Sequence, residues 1–205
     1  MELTSNGFED GGRLDKRFAW ANSDPVGNMT HQANLNPGLS WSDVPAGTQS
    51  FAIIVIDPDV PTSREDRNKP GRTIPSSLPR RELCHWVLID LPSSVTSIDE
   101  GQFSDGVTLG GKDGPAAPLG SRQGINDFTG FMSANPETAG NYFGYDGPAP
   151  PGNDEINHRY VFTLYALDIP RLPVEGIFGP SDVLAAMDGH VLATASIAGI
   201  YYLSL

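Results

Sequence analysis

Four short stretches place chemically capable side chains beside apolar runs: Asp57-Pro58-Asp59-Val60-Pro61, His85-Trp86, Gly147-Pro148-Ala149-Pro150-Pro151 and His158-Arg159-Tyr160. Carboxylates, imidazoles and a phenol can hold protons and bond a polar ligand. The prolines supply a stiff wall, because each ring fixes φ and removes an amide donor. Together these residues have the makings of a small polar pocket. Each stretch also has a plainer reading. Asp-Pro is a common turn, since the carboxylate bonds nearby amides. His85, at the parity of Val87 and Ile89, suits a buried hydrogen-bonded ring. Arg159 can pair with Asp57 or Asp59 and hold the loop, and Tyr160 keeps the parity of Phe162 and Leu164, as a core residue would.

Other chemistries find less support. There is no Gly-x-Ser-x-Gly elbow, and Gly110-Gly111-Lys112-Asp113-Gly114 lacks the full phosphate-loop pattern. Cys84 adjoins His85, but neighbours on a strand point to opposite faces and make no thiol-imidazole dyad. Asp57, His85 and His158 could form a two-histidine, one-carboxylate metal site, yet no close ligand spacing marks one. The sequence calls for no metal and no cofactor.

Strands must carry these groups. Phe51 to Ile56 is apolar on both alternating faces, which predicts an interior strand covered on both sides and stopping at the Asp57-Pro58 turn. Leu83 to Leu91 predicts a second strand, ended by Pro92, and Arg159 to Leu167 a third, rich in β-formers. Leu192 to Leu203 supplies a fourth. Ser181 to Met187 is the best helix signal, with Ser181 as a cap and Gly189 as a terminator. The turn-rich stretches 20–40, 62–82 and 104–157 are too long for simple hairpins and are expected to shape a site.

At 205 residues, with no linker-like break and no repeat, residues 1–205 are expected to form one mainly β domain. The 23 glycines and 18 prolines imply many turns between short strands. A lone cysteine precludes an intrachain disulfide framework. The first residues lack a secretory pattern and no apolar run approaches bilayer length, so a cytoplasmic protein without stable membrane insertion is expected. A formal charge of −12 disfavours nucleic acid and anionic membranes as partners. Residues 62–82 run against it: Arg64, Arg67, Lys69, Arg72, Arg80 and Arg81 outnumber Glu65, Asp66 and Glu82. Such a loop either guides an anion or is merely solvated.

The four stretches, in this order, resemble the signature of the phosphatidylethanolamine-binding protein family, also called Raf kinase inhibitor proteins, and most closely its prokaryotic branch. The similarity runs from about Leu3 through Leu203 and includes Trp41 to Thr48, which looks like the lead-in to the first signature. The resemblance implies a large β-sheet packed on a smaller one, a few short peripheral helices, and an anion pocket for phosphate-like or carboxylate groups. Its residues would be Asp57, Asp59, Pro61, His85, Ala149, Pro150, His158 and Tyr160. In such a pocket the imidazoles would donate to the anion. Asp57 would orient or keep protonated a histidine, or bind a cationic headgroup such as ethanolamine.

The sequence departs from the family in three places. The run after Leu192 is not followed by the C-terminal helix of eukaryotic members, so kinase inhibition is not expected. The basic 62–82 loop would restrict or extend the site. Residues 110–144, with Asn126-Asp127-Phe128, would cover the pocket or form a subunit contact. The expected function is a non-enzymatic binding protein for a small anion such as phosphate, a carboxylate or phosphoethanolamine, one that modulates another, unidentified protein; a homodimer is compatible with it. The alternatives are a hydrolase or lyase using Asp57 with His85 or His158, and an interaction module with a vestigial pocket.

Overall fold

Three runs of β-branched and aromatic residues build the centre of the molecule. The computed structural model describes residues 1–24 and 28–202. In chain order the strands are β1 (Glu2–Ser5), β2 (Ala21–Ser23), β3 (Met29–His31), β4 (Leu39–Ser42), β5 (Ser50–Pro61), β6 (Arg80–Pro92), β7 (Ser97–Ile98), β8 (Arg122–Gln123), β9 (His158–Leu167) and β10 (Val191–Tyr201). The helices are α1 (Phe128–Met132) and α2 (Pro180–Met187), and two single 3₁₀ turns complete the regular structure. A five-stranded antiparallel sheet has the order β10-β9-β5-β6-β8, beside a three-stranded sheet β1-β4-β7 and a ribbon β2-β3. The mainly β architecture expected from the family signature is the one observed.

Strand β5 is buried on both faces, as its continuous apolar run predicts. On one face Phe51, Ile53 and Val55 pack with Leu3, Leu39, Trp41 and Ile98 of the smaller sheet. On the other, Ala52 and Ile54 meet Leu172, Val174, Phe178, Val183 and Met187, which belong to α2 and the segment leading into it. A third cluster, Trp20, Leu83, Phe128 and Tyr142, closes the end of the sheet where β5 leaves its core.

Three local expectations change. β5 does not stop at Asp57-Pro58 but runs to Pro61, and the shift between Asp57 and Val60 in its pairing with β6 is a bulge that accommodates Pro58, which has no amide to donate. β6 begins at Arg80, three residues before the predicted start. α2 is capped at Gly179, not Ser181: Pro180 occupies the first turn and the Asp182 carboxylate accepts the Gly179 N–H at 2.8 Å. Gly189 follows at φ +79°, as a helix terminator should. Of the fourth predicted strand, Leu203 lies outside the described residues.

A further correction concerns His85. Val55 faces Trp86 and Ile56 faces Cys84, so His85 is the extra residue of a bulge and the alternation of β6 breaks there. Cys84, Val87 and Ile89 therefore share one core, while Trp86, Leu88 and Leu91 share the other. His85 does not stand with Val87 and Ile89. Its ring instead meets Tyr160 and Phe128, with centroids 5.0 and 5.5 Å apart.

Candidate functional site

The pairing of β5 with β9 ends at Ile56 and Val161. Beyond that point side chains replace the ladder, and a cavity of about 280 Å³ opens at the splayed strand ends. Asp57 and Pro61 from β5, His85 from β6, Ala149 and Pro150 from the proline turn, and His158 and Tyr160 from β9 all line it. Asp59 does not. Its carboxylate accepts the Arg159 amide at 2.9 Å and both Arg159 Nε and Nη2, at 2.9 and 2.8 Å. Asp59 thus ties β5 to β9 behind the cavity wall, in the loop-holding role open to Arg159.

The proline turn is fastened to the ribbon. The Pro148 carbonyl accepts the amides of Trp20 and Ala21, and the Gly147 amide donates to Asn34 Oδ1 at 2.9 Å. A Cβ on Gly147 would lie 1.9 Å from the Phe18 carbonyl oxygen, so only glycine permits this approach.

His158 is held between two carboxylates. Its Nδ1 lies 2.7 Å from Asp57 Oδ2 and its Nε2 lies 3.3 Å from Asp154 Oδ2. Burial by itself would lower its pKa, but the bonds to Asp154 and Asp57 outweigh it and push it up to about 9. Asp154 in turn takes Arg80 on both oxygens, at 2.6 and 3.0 Å. Burial would raise the Asp154 pKa, and the bonds from His158 and Arg80 bring it below the usual carboxylate range. Two carboxylates, one imidazolium and one guanidinium leave this cluster neutral. Asp57 thus orients His158 and keeps it protonated.

His85 is as buried as His158 but is held in the opposite protonation state. Its Nδ1 lies 2.6 Å from the Asp146 carbonyl, which can only accept, so Nδ1 carries the proton. Burial pushes its pKa down against the pull of Asp57 and Asp146, and the ring is neutral with an Nε2 lone pair. Asp146 is itself fixed by Lys112 Nζ at 2.7 Å, Asn34 at 3.0 Å and Asn126 at 2.8 Å. Lys112, singled out for an incomplete phosphate loop, is a strut for this backbone.

Cys84 is on the far face of the sheet, its thiol pushed up by burial, and forms no dyad with His85. Among the described residues no group of three or more His, Cys, Asp or Glu could hold a metal ion. No helix among them is long and apolar enough to cross a membrane.

Other walls escaped the sequence reading. Trp20 comes from just before β2; Phe128, Phe131 and Met132 come from α1, inside the stretch expected to cover the pocket or form a contact. Ser63, Arg64, Arg67, Asn68 and Arg81 line the mouth, so the basic loop extends the site. Charge count alone could not sort its members. Arg80 is committed to Asp154 and Arg72 stands 3.5 Å from Asp66, whereas Arg64 and Arg67 lie over the Phe131 ring at 4.2 and 4.4 Å from its centroid.

Comparison with known proteins agrees with this architecture. Residues 4–202 match the family model described as Phosphatidylethanolamine-binding protein. The chain is 32% identical over 203 residues to the UPF0098 protein YbhB of Escherichia coli, a match spanning 98% of this chain and 99% of that protein. A UPF0098 protein of Methanothermobacter thermautotrophicus is 32% identical over 201 residues, covering 98% of each. The crystal structure of E. coli YbcL, described as a new member of the mammalian PEBP family, matches with a TM-score of 0.70 at 28% identity, over 99% of this chain and 98% of its own. With the signature in order along the sequence, matched over nearly its whole length and carried on the same fold, this chain belongs to the phosphatidylethanolamine-binding protein family.

Proposed function

We propose that the protein binds a small molecule bearing a phosphate-like or carboxylate group in the cavity between β5, β6, β9 and the proline turn. One observation carries this reading. Of the four buried side-chain polar atoms without a hydrogen-bond partner among the described residues, three belong to residues that line the cavity: Trp20 Nε1, Arg67 Nε and Tyr160 Oη. The indole and the guanidinium can only donate, and the phenol can donate too. Leaving such groups unpaired costs roughly 1–3 kcal/mol each. A ligand rich in acceptors removes that cost, and an oxyanion is the densest acceptor available. Burial, then the charge and proximity of Asp57, push the Tyr160 pKa well above the usual phenol value and keep it a donor, while its contacts with Asp57 and the Ala149 amide fall outside hydrogen-bond geometry.

Calorimetric titration with phosphate, acetate and phosphoethanolamine tests this, with Tyr160→Phe alongside. Binding by the native protein that weakens about tenfold in Tyr160→Phe is expected, the loss of one charge-assisted bond. No heat from any of the three at millimolar concentration would overturn it. A hydrolase or lyase built on His158 draws less support from the geometry, because both its nitrogens are engaged by carboxylates; one built on His85, whose Nε2 is open as a base, predicts turnover of ester or phosphate substrates that His85→Ala abolishes.

A further inference from the structure

We propose that the anion in this cavity is held at the mouth by Arg64 and Arg67 together with the Tyr160 hydroxyl, and that the ligand carries its charge on a compact apolar body. The proposal rests on the binding reading above and revises where the charge sits. The family signature directs attention to the histidines, but in this chain they offer an anion little. Both His158 nitrogens are engaged by Asp57 and Asp154, and Asp57 Oδ1 also accepts the Asp59 amide at 2.8 Å. Arg80 balances the remaining charge of that cluster. His85 spends its one proton on the Asp146 carbonyl and turns a lone pair, not a donor, to any further partner.

The guanidinia are the opposite case. Among the described residues neither Arg64 nor Arg67 forms an ion pair, although the chain carries an excess of twelve negative charges. Both lie within 4.4 Å of the centroid of one ring, Phe131, and are near enough for the Arg64 charge to depress the Arg67 pKa, the mark of two like charges that repel. Arg67 has a buried Nε without a partner, and its Nη2 reaches only the Ala149 carbonyl, at 3.4 Å. Burial, then the Arg64 charge, push its pKa down to about 10, and its surroundings include the Tyr160 hydroxyl. An oxyanion placed there would accept from Arg67 Nε and from Tyr160 and would screen the two cations from each other. Much of the remaining cavity wall is apolar, with Val60, Leu83, Phe128, Phe131 and Met132 and the face of Trp20 beside the polar Ser63, Asn68 and Arg81. Its volume of about 280 Å³ falls near the small end of the roughly 300–1,000 Å³ typical of small-molecule pockets. A single ring or short branched chain bearing one phosphate or carboxylate meets both requirements.

Phenyl phosphate, phosphoethanolamine, inorganic phosphate and benzyl alcohol separate the contributions. The native protein should bind phenyl phosphate at least about tenfold more tightly than the other three, because only it combines charge with apolar area. Arg64→Gln and Arg67→Gln should each cost phenyl phosphate about tenfold or more. Binding of benzyl alcohol should stay unchanged in both, which also reports an intact fold. Arg64 is exposed, so Arg64→Gln remains informative if Arg67→Gln folds poorly. Phenyl phosphate binding that survives both substitutions but is lost in Tyr160→Phe would overturn the arginine assignment and leave the binding reading standing. Phosphoethanolamine or inorganic phosphate bound as tightly as phenyl phosphate would overturn the apolar body. No binding of any probe by the native protein would overturn both.

Discussion

His158 shows how neighbours decide what a residue does. With Asp57 on one nitrogen, Asp154 on the other and Arg80 and Tyr160 at the edges of the cluster, its pKa is pushed up from 6.5 to about 9. A base whose folded pKa is raised stabilises the fold fully below its unfolded pKa and loses that contribution as pH rises through the folded one. The window is therefore from about pH 6.5 to about 9, and the shift corresponds to something on the order of 3 kcal/mol. His85 has the opposite sign: its lowered pKa makes stability fall as pH drops below 6.5, where the unfolded chain takes up a proton that the buried ring resists. Asp154 and Asp59, both lowered, add losses only under more acidic conditions. Urea midpoints measured across this range should peak near neutrality, and the decline on the alkaline side should flatten in His158→Gln. A native profile flat from pH 6.5 to 9 would contradict a charged His158. The two histidines stand out equally in the sequence, yet one is held charged and the other neutral. Two carboxylates bonded to His158 outweigh its burial, whereas burial prevails at His85, and Asp154, one of the two, belongs to no signature stretch.

Among the elements, bulges and struts place the site. The bulge at Asp57 to Val60 lets a strand carry Pro58 and still reach Arg80 and Arg81, and the bulge at His85 lifts an imidazole out of the ladder toward Tyr160. Strand periodicity reads through both sites as if they were regular, which is why His85 was expected beside Val87 and Ile89. The proline turn was legible as a stiff wall, but its position depends on Gly147 lying against the Phe18 carbonyl. Gly147→Ala should cost about 1–3 kcal/mol in chemical denaturation, the usual penalty for forcing an extra carbon into a packed site, and should also weaken ligand binding by moving Ala149 and Pro150. Stability within a few tenths of a kcal/mol of native would show that the turn can relax. The short α1 carries no strong helix signal, and its role as a wall comes from three apolar side chains meeting Trp20 and the arginine loop rather than from its own sequence.

At the level of the whole molecule, the large sheet serves two cores at once, because β5 and β6 send alternate residues to each. Loss of one core would strip a face from the strands that hold the other. Far-ultraviolet and near-ultraviolet signals should therefore report one coincident unfolding transition across residues 1–202, the behaviour of a single cooperative domain; two separated transitions would divide the chain into independent units. The charge is arranged unevenly: among the described residues of a strongly acidic protein, Arg64, Arg67 and Arg81 all line the cavity without an ion pair, and the first two share the Phe131 ring. By itself, the sequence determined the β-rich class, the central strands, the order of the signature stretches and the stock of groups that meet at the cavity. Those are properties of local pattern and composition. Which carboxylate pairs with which cation, which histidine keeps its charge, that Asp59 braces the wall instead of facing the cavity, and that Phe131 gathers Arg64 and Arg67 were decided only by the tertiary structure. Each depends on groups distant in sequence approaching within a few ångströms under burial, where electrostatic and hydrogen-bond energies are set by neighbours and not by residue type.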